Sequence, residues 1–292
     1  MSFKMKTKNF IEEKAEVIGK EGIVIFDRVT RMPLYNEPYN SSHYVICINH
    51  SGSVNLDFDM GTDVFCDHGV AILYPSHSII AHESSPDYCF TLIVVSKEMF
   101  GTLSNRIIHR NRFKYVMQPQ FKLNNSQYED VLAVVETMKR IARLKSENRH
   151  EMMVGIFDIL VQMIDLFRRE NNSTEPDFLN TNSHNLSPQF YEAVSKNYAQ
   201  HHDVDFYANL FCLTPKHFSA IIKSETGYCA SHWIHTHVIN EAKLILRTDS
   251  ESSISDISDK LGFVDQASFS RYFKRETGLT PKEYRWKAKK NN

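Results

Sequence analysis

An imperfect internal repeat near the C-terminus constrains the fold of this chain more than any other feature. The copies cover residues 204–227 and 254–278, and both end in the pattern K-x-E-T-G. Each copy predicts a short amphipathic helix, a turn of about four residues and a second helix closed by glycine. This is the pattern of a helix-turn-helix, whose second helix can enter the major groove of DNA.

Apolar residues inside each copy predict the surface that packs between its two helices. They are Phe206, Tyr207, Leu210, Leu213, Phe218, Ile221 and Ile222 in the first copy, and Ile254, Ile257, Leu261, Phe263, Phe269, Tyr272 and Phe273 in the second. Thr214 with Pro215, and Asp265 in the other copy, predict the starts of the second helices. Gly227 and Gly278 predict their left-handed ends.

Two further helices are predicted around the repeat. Residues 233–247 carry apolar side chains at helical spacing and predict a rigid spacer between the copies. Upstream, Ser187 predicts an N-cap, and Pro188 predicts the first position of a helix over 188–201. An all-α domain is therefore predicted over 187–292.

The stretch 204–285 resembles the DNA-binding domain of the AraC/XylS family of bacterial transcription regulators. The tracts that carry the resemblance are EAKLIL at 241–246 and ISDISDKLGFVDQASFSRYFKRETGLTPKEYR at 254–285. The resemblance implies a DNA-binding transcription regulator, an activator more often than a repressor, with promoter DNA and RNA polymerase as partners. The family often has an arginine at the position of Val238. Either His237 or Lys243 takes the place of that arginine, or the interface between the two halves of the domain is more apolar in this chain.

The resemblance places the candidate DNA contacts on the exposed sides of the second helices. The candidate base-reading residues are Lys216, His217 and Ser219 in the first copy and Gln266, Ala267, Ser270 and Arg271 in the second. The candidate phosphate-binding residues are Lys223, Lys274, Arg275, Lys282 and Arg285. Because arginine can read guanine and glutamine can read adenine, the second copy is expected to carry most of the sequence discrimination. The alternative for Gln266 and Ser270 is that they are solvated surface residues that do not read bases.

Charge is concentrated where this interpretation needs it. The whole chain has a formal net charge of −1, but residues 186–292 carry 14 Lys/Arg against 12 Asp/Glu. Within 271–290, eight basic residues stand against two acidic ones. Phosphate binding depends on locally placed cations, so the cluster matters more than the total. A solvated surface helix is the alternative.

The N-terminal part predicts a β domain followed by a helical hairpin. Short strand-like runs fall at 22–26, 44–49, 54–58, 70–74 and 90–95, separated by turn signals, and favour a small β-barrel or jelly roll of cupin-like type. Apolar stripes over 128–144 and 152–167 predict a hairpin at about 126–168, which packs on the barrel, pairs with a second subunit, or both. A homodimer is expected.

The predicted fold class is therefore a two-domain α+β protein. A sensor and dimerisation domain covers 1–170, a flexible linker poor in apolar residues covers 171–186, and the double helix-turn-helix domain covers 187–292. A small effector is expected to control presentation of the second domain to DNA. An alternative is a constitutive DNA-binding protein with a ligand-free N-terminal domain.

A ligand pocket near the barrel mouth is predicted from aromatic and histidine side chains. The candidates are Tyr39, Tyr44, Tyr74, His77 and His82, for which a place in the core or rim is the alternative. No H-x-H pair occurs in the barrel region, which disfavours a metal centre and a metal-dependent cupin-type enzyme fused to the DNA-binding domain. No catalytic residue, metal or cofactor is predicted.

The remaining composition favours the cytoplasm. Five widely spaced cysteines without a C-x-x-C pair argue against a disulfide framework and fit a reducing compartment. No apolar run of about 18 residues could span a bilayer, and the charged start of the chain lacks a signal peptide's apolar region.

Overall fold

The chain folds into two compact units, Met1–Pro176 and Asp177–Asn292. The computed structural model describes residues 15–31, 35, 39–40, 43–58, 61–75, 78–102, 113, 115–171, 186–249 and 251–291. Most of the predicted linker, residues 172–185, lies outside the described residues. The predicted domain boundaries therefore stay a prediction.

Two antiparallel sheets form the β part of the first unit. The five-stranded sheet has the strand order β1 (Ile23–Val29), β8 (Cys89–Val95), β3 (Tyr44–Ser51), β6 (Gly69–Leu73), β9 (Gln120–Lys122). The four-stranded sheet has the order β2 (Tyr39–Asn40), β7 (Ser78–Ser84), β4 (Val54–Phe58), β5 (Gly61–Phe65).

These sheets confirm the predicted antiparallel β-rich domain but not a closed barrel. Closure would require the edge strands β1 and β9 to pair with β2 and β5. Among the described residues each of these four strands pairs with one neighbour, in its own sheet. The closed barrel of the sequence prediction is therefore wrong, and two open sheets take its place.

The five-stranded sheet is the middle layer of the first unit. Along β3, Ile46 and Ile48 face a helical hairpin, whereas Val45 and Cys47 face the four-stranded sheet. Successive side chains of a strand point to opposite faces, so both faces of β3 are buried. This burial explains why its sequence is a continuous apolar run. Short helices α1 (Ala15–Glu21) and α2 (Lys97–Thr102) flank the sheet in sequence.

The hairpin consists of α3 (Asn125–Ala142) and α4 (Arg149–Asn171). A capping box starts α3, because the Gln127 amide N–H donates to Asn124 Oδ1 and the Asn124 N–H donates to Gln127 Oε1. On α4, Phe157 and Leu160 are fully buried against the sheet and α3. The inner face of the hairpin is thus part of the core of the first unit.

The second unit is all-α in its described residues. Its helices are α5 (Ser187–Asn197), α6 (Val204–Leu210), α7 (Pro215–Thr226), α8 (Ala230–Thr248), α9 (Ile254–Lys260), α10 (Gln266–Thr277) and α11 (Pro281–Asn291). Helices α6 and α7 form the first predicted motif, and α9 and α10 form the second. The turns between them are residues 211–214 and 261–265.

The predicted N-cap of α5 is wrong by one residue. Leu186 occupies the cap position without a side-chain cap bond, and Ser187 is already helical. The free amide N–H groups of Leu186 and Ser187 donate instead to the Glu225 carboxylate on α7, at 3.1 and 2.8 Å. A carboxylate from a distant helix therefore does the capping, which local sequence could not indicate.

Helix α8 lies against both motifs. Its Trp233 ring packs edge-on against Tyr191 of α5, while Ile239 and Leu246 join the core that holds Phe269 and Phe273 of α10. Val238, at the position where the family often has arginine, is fully buried. The interface at this position is therefore apolar, one of the two outcomes left open by the sequence.

The turn of the second motif also rests on the segment that leads into the first. Gly262 has φ +73°, and a Cβ added there would lie 2.0 Å from the backbone oxygen of Ala199. Glycine is required at this point by both the left-handed backbone and the close approach. The second motif thus also contacts the segment that precedes the first motif.

Candidate nucleic-acid interface

The first motif presents α7 as its second helix. The Thr214 side chain accepts from the His217 amide N–H at 3.4 Å, and Gly227 ends the helix at φ +80°. Both predicted end signals are therefore present. Phe218 and Ile222 are fully buried, which turns the opposite side of α7 to solvent.

The solvent side of α7 carries the residues predicted to contact DNA. Lys216, His217 and Lys223 are exposed and Ser219 is half-buried. Neither lysine forms an ion pair among the described residues. Their ammonium groups are therefore available to phosphate.

One buried residue predicted for this motif is wrong. Leu210 is 51% exposed. The buried stripe of α6 runs through Tyr207 and Ala208, and the position of Leu210 falls to one side of that stripe at 3.6 residues per turn. The sequence spacing predicts that Leu210 is buried, because a helix of only seven residues has too few apolar positions to define its buried face.

The second motif presents α10 in the same manner. The Ser268 amide N–H donates to Asp265 Oδ1 at 2.6 Å, and this bond lowers the pKa of the Asp265 carboxyl. An ionised cap also suits the positive end of the helix dipole. Gly278, at φ +75°, ends the helix as predicted.

The exposed side of α10 is more basic than that of α7. Gln266, Ala267 and Arg271 are exposed and Ser270 is half-buried, while Phe269 and Phe273 are fully buried behind them. The Arg271 guanidinium makes only a long contact, 3.3 Å, to Ser268 Oγ. It can therefore be redirected to a base edge at little cost.

The residues predicted to bind phosphate differ in their exposure and in the contacts that their side chains already make. Lys274 and Lys282 are exposed, and neither forms an ion pair within the described structure. Arg275 is engaged, since its Nε donates to Glu276 at 2.7 Å and its guanidinium lies 5.1 Å from the centre of the Tyr272 ring. Arg285 is half-buried, and its Nε and Nη2 are shielded from solvent without a hydrogen-bond partner among the described residues. The lysines are the stronger candidates.

Sequence reasoning missed an exposed apolar residue beside α10. Val264 directly precedes the cap residue Asp265 and is almost completely exposed. An apolar side chain at the start of a recognition helix can contact the methyl group of thymine. The sequence pattern offered no signal for it, because valine is more often buried.

The residues of the predicted ligand pocket lie in different places. Tyr44 stacks on Phe100 at 3.4 Å and meets Tyr74 edge-on at 5.5 Å, in the core between sheet and hairpin. His82 lies on the other sheet, 2.7 Å from Asp57. His77 and the side chain of Tyr39 lie outside the described residues. A pocket shared by these residues stays a prediction.

The first unit has a different concave site that the sequence did not indicate. A groove of about 700 Å³ lies between α1, β1 and the hairpin. Its walls come from segments far apart in the chain, so no local pattern could reveal it. Among the described residues, no cluster of three or more His, Cys, Asp or Glu side chains could hold a metal ion. None of the described helices combines the length and the apolar character needed to cross a membrane.

A comparison with protein families matches part of the second unit. A family model described as "Helix-turn-helix domain" covers residues 207–287. The arabinose operon regulatory protein of Salmonella typhimurium is 35% identical over 85 residues, 29% of this chain and 30% of that protein. The transcriptional activator RhaR of Yersinia pestis is 28% identical over 127 residues, 44% of this chain and 43% of that protein.

A solved structure is similar over more of the chain but at low identity. ToxT from Vibrio cholerae O395, bound to a substituted butenoic acid, is 14% identical with a TM-score of 0.49, covering 91% of this chain and 99% of that one. The chain spans less than half the length of the curated relatives described above. One relative is named as a transcriptional activator and the other as an operon regulatory protein. The family model covers α7 to α10 and most of α6. Residues 207–287 of this chain match the helix-turn-helix domain family, and part of the chain is similar to these regulators.

Proposed function

We propose that this protein is a sequence-specific DNA-binding transcription regulator of the cytoplasm, without enzymatic activity. The observation that supports this most is the pair of capped recognition helices, α7 and α10, whose polar sides face solvent while α8 contacts both motifs. Two such helices can read successive stretches of one groove face. Activation of promoters together with RNA polymerase is the proposed outcome, in keeping with the relative named as an activator.

Within this function, α10 reads bases and the lysines hold the backbone. Arg271 can donate two hydrogen bonds to guanine, and Gln266 can pair with adenine. Lys216, Lys223, Lys274 and Lys282 neutralise phosphates, which positions both helices without reading sequence. Helix α7 offers few groups for base readout, so it contributes more to affinity than to specificity.

The experiment that tests this function is selection of DNA fragments by the purified full chain. Fragments bound with and without cell extract are sequenced, and a shared motif with two half-sites is expected. Affinity for that motif is then measured against salt, and log Kd should change with log salt by about 0.9 per phosphate neutralised. Recovery of no common motif, or a slope near zero for a recovered one, contradicts the proposal.

We also propose that the protein acts as a homodimer through the outer face of α4. Met152, Ile159 and Leu166 are 44%, 49% and 43% exposed and stand seven residues apart. Ile156 and Met163 lie between them, half-buried, which completes an alternating spacing of four and three. That spacing is the seam of a coiled coil, and two copies of α4 can bury it together.

Control by a small effector in the first unit completes the proposed function. An effector shifts the protein between arrangements only if it binds one of them more tightly. In this proposal the effector site lies in the first unit, and its occupation changes contacts of the hairpin. A protein whose DNA binding and promoter activation respond to no small molecule would instead have an inert first unit.

A further inference from the structure

The groove of about 700 Å³ in the first unit combines an apolar wall with an excess of positive charge. Val17 of α1, Ile23 and Ile25 of β1, and Met153 of α4 provide the apolar wall. Val17 is 42% exposed and Ile25 is half-buried, so part of this surface meets water. Covering it with an apolar body would yield about 25 cal/mol for each Å² removed from water.

The carboxylates of the groove are already neutralised. The Glu21 carboxylate accepts from Arg149 Nη2 at 2.5 Å, and the Asp27 carboxylate accepts from Lys139 Nζ at 2.6 Å. Each pair joins the β1 side of the groove to one helix of the hairpin. Lys139 Nζ also donates to the Glu136 carboxylate at 2.6 Å, so Asp27 and Glu136 share one cation. The two carboxylates that line the groove therefore each have a cationic partner and act as cross-links.

Two cations of the groove lack such partners. Lys20 lies at the end of α1 and Arg143 at the end of α3, and both line the groove and are exposed. Among the described residues neither forms an ion pair. Four Lys/Arg side chains thus line the groove with the carboxylates of Glu21 and Asp27, while Glu136 binds Lys139. The cations still outnumber these three carboxylates, and the two unpaired ones lie beside the apolar wall.

From this arrangement we propose that the groove binds a small molecule with an apolar body and one anionic group, such as an aliphatic or aromatic carboxylate. The anion pairs with Lys20 and Arg143 while the body covers Val17 and Ile25. This rests on the proposed function to the extent that it identifies the groove as the effector site. Binding itself requires no DNA.

The groove is connected to α3 by a chain of hydrogen bonds. Thr91 Oγ1 donates to Asp27 Oδ1 at 3.0 Å, so it must accept from His50 Nε2 at 2.7 Å. With Nε2 carrying the proton, a neutral His50 accepts at Nδ1 from the Tyr128 hydroxyl, again at 2.7 Å. The chain therefore runs in one direction, from Tyr128 to the Asp27 carboxylate.

These hydrogen bonds connect Asp27, which lines the groove, to two points on the same face of α3. Tyr128 and Lys139 lie on α3 about three turns apart, and each is bonded, directly or through His50 and Thr91, to Asp27. An anion held by Lys20 and Arg143 lies in the same groove as the ion pairs Lys139–Asp27 and Arg149–Glu21. Binding of the anion therefore affects the ion pairs that hold the hairpin in position. The outer face of this hairpin is the proposed dimer surface.

The test uses the purified full chain and the fluorescent anion 8-anilinonaphthalene-1-sulfonate as the probe. Bound probe is displaced with octanoate, 1-octanol or octyltrimethylammonium, which share a chain length and differ in charge. Octanoate should displace the probe at a concentration about tenfold below that of octanol, and the cation should displace it least. Equal displacement by all three overturns the proposal, because the groove would then select only for apolar surface.

Variants locate the binding site. The double variant Lys20→Glu/Arg143→Glu should weaken octanoate binding about tenfold or more, since two attractions become repulsions. The control Lys97→Glu/Lys122→Glu makes the same charge change at exposed positions outside the groove and should leave binding unchanged. Val17→Trp keeps the cations but fills the apolar wall, and should also weaken binding. Circular dichroism verifies that each variant is folded.

The outcomes separate this inference from the proposed function. If octanoate binds the groove as expected while no DNA motif is recovered, the regulator function fails and the ligand site stands. If DNA binding is specific while the double variant binds octanoate like its control, the groove proposal is wrong and the regulator function stands.

Discussion

The turns of the two motifs use different residues for one backbone conformation. Cys212 in the first turn and Gly262 in the second occupy equivalent positions of the repeat, with φ of +56° and +73°. The left-handed region costs a residue with a Cβ about 1–2 kcal/mol. Cys212 is exposed and meets only this local strain, whereas Gly262 is also pressed against Ala199.

Exchanging these residues should therefore have unequal effects. Cys212→Gly is expected to leave the free energy of unfolding within about 1 kcal/mol of wild type, because relief of strain offsets the added freedom of the unfolded chain. Gly262→Ala should lower it by more than about 2 kcal/mol, since the new Cβ overlaps a backbone oxygen. Urea unfolding followed by tryptophan fluorescence measures both. Wild-type stability of Gly262→Ala would show that the turn can move away from Ala199.

Variants of Arg271 and Lys274 test the proposed division between base reading and phosphate binding. Arg271→Ala should weaken binding to the preferred site by about 1–3 kcal/mol and relax the preference at one base pair. Lys274→Ala should weaken binding on all sequences and reduce the salt slope by about one unit, and Lys216→Ala should behave likewise. Fluorescence anisotropy on matched and mismatched duplexes gives both readouts. A changed preference in Lys216→Ala with none in Arg271→Ala would invert the roles of the two helices.

Residue-scale prediction from sequence succeeds where the chemistry is local. Thr214, Asp265 and the glycines that end α7 and α10 act on backbone groups within a few residues, so their roles can be predicted from the sequence. Ser187 and Leu210 were misplaced because their surroundings come from elsewhere. The Glu225 carboxylate that caps α5 is 38 residues from Ser187 and cannot be anticipated from spacing.

At the scale of elements, α4 has two apolar faces with different roles. The face containing Leu160 is buried in the core, and the face containing Met152, Ile159 and Leu166 is exposed. A charge at Leu160 therefore tests folding, not association. Sequence periodicity predicted the helix but could not distinguish its inner stripe from its outer one.

The outer stripe gives the prediction at this scale. Ile159→Glu should convert a wild-type dimer to a folded monomer, because the carboxylate enters the centre of the proposed seam. Leu144→Glu is the matched control, since Leu144 is also an exposed apolar residue but lies outside the stripe. Sedimentation velocity at micromolar concentration measures the oligomer. A wild-type monomer, or loss of the dimer in both variants alike, contradicts the assigned surface.

Strands were predictable in proportion to their burial. β3, β6 and β8 form the middle of the central sheet and read as apolar runs, so the sequence located them to within two residues. β5 carries four exposed residues, and β9 has only three residues in all. Such strands are held by pairing with a neighbour rather than by their own composition, and the sequence prediction omitted them, as it omitted β2 and β7.

At the scale of the whole molecule, acid should weaken the second unit before most carboxylates titrate. Burial lowers the pKa of His202 and of His235 below the ordinary value of 6.5. Between the folded and unfolded values the unfolded chain binds more protons, so the free energy of unfolding falls as the pH drops below about 6.5. The cap carboxyls Asp256 and Asp265 have lowered pKa values too, but their stabilisation is lost only below about pH 4.

The measurement is urea unfolding of the full chain between about pH 7.5 and about pH 5.5. His202→Gln should flatten the loss of stability in this range, because the glutamine has no proton to take up. His150→Gln, at an exposed position of the first unit, is the control and should leave the slope unchanged. A variant at His202 that retains the full wild-type slope would assign the dependence to another group.

The division into a β-rich first unit and an all-α second unit was within reach of the sequence, since period-2 and period-3.6 patterns do not overlap along the chain. The open sheets and the groove were not. Both depend on which edges and faces meet after folding, as in the ion pairs of Glu21 with Arg149 and Asp27 with Lys139. These partners are 128 and 112 residues apart in the chain.

The approach of Gly262 to the Ala199 carbonyl determines where the second unit can be cut and joined to another protein. Ala199 precedes the first motif and Gly262 lies in the turn of the second, so the two sides of this contact are separated by the whole first motif and α8. A chimaera joined within α8 would set a foreign turn against Ala199. One joined before Ser187 transfers both sides together. The unit of exchange is therefore the whole of α5 to α11, and a single motif is not a portable part.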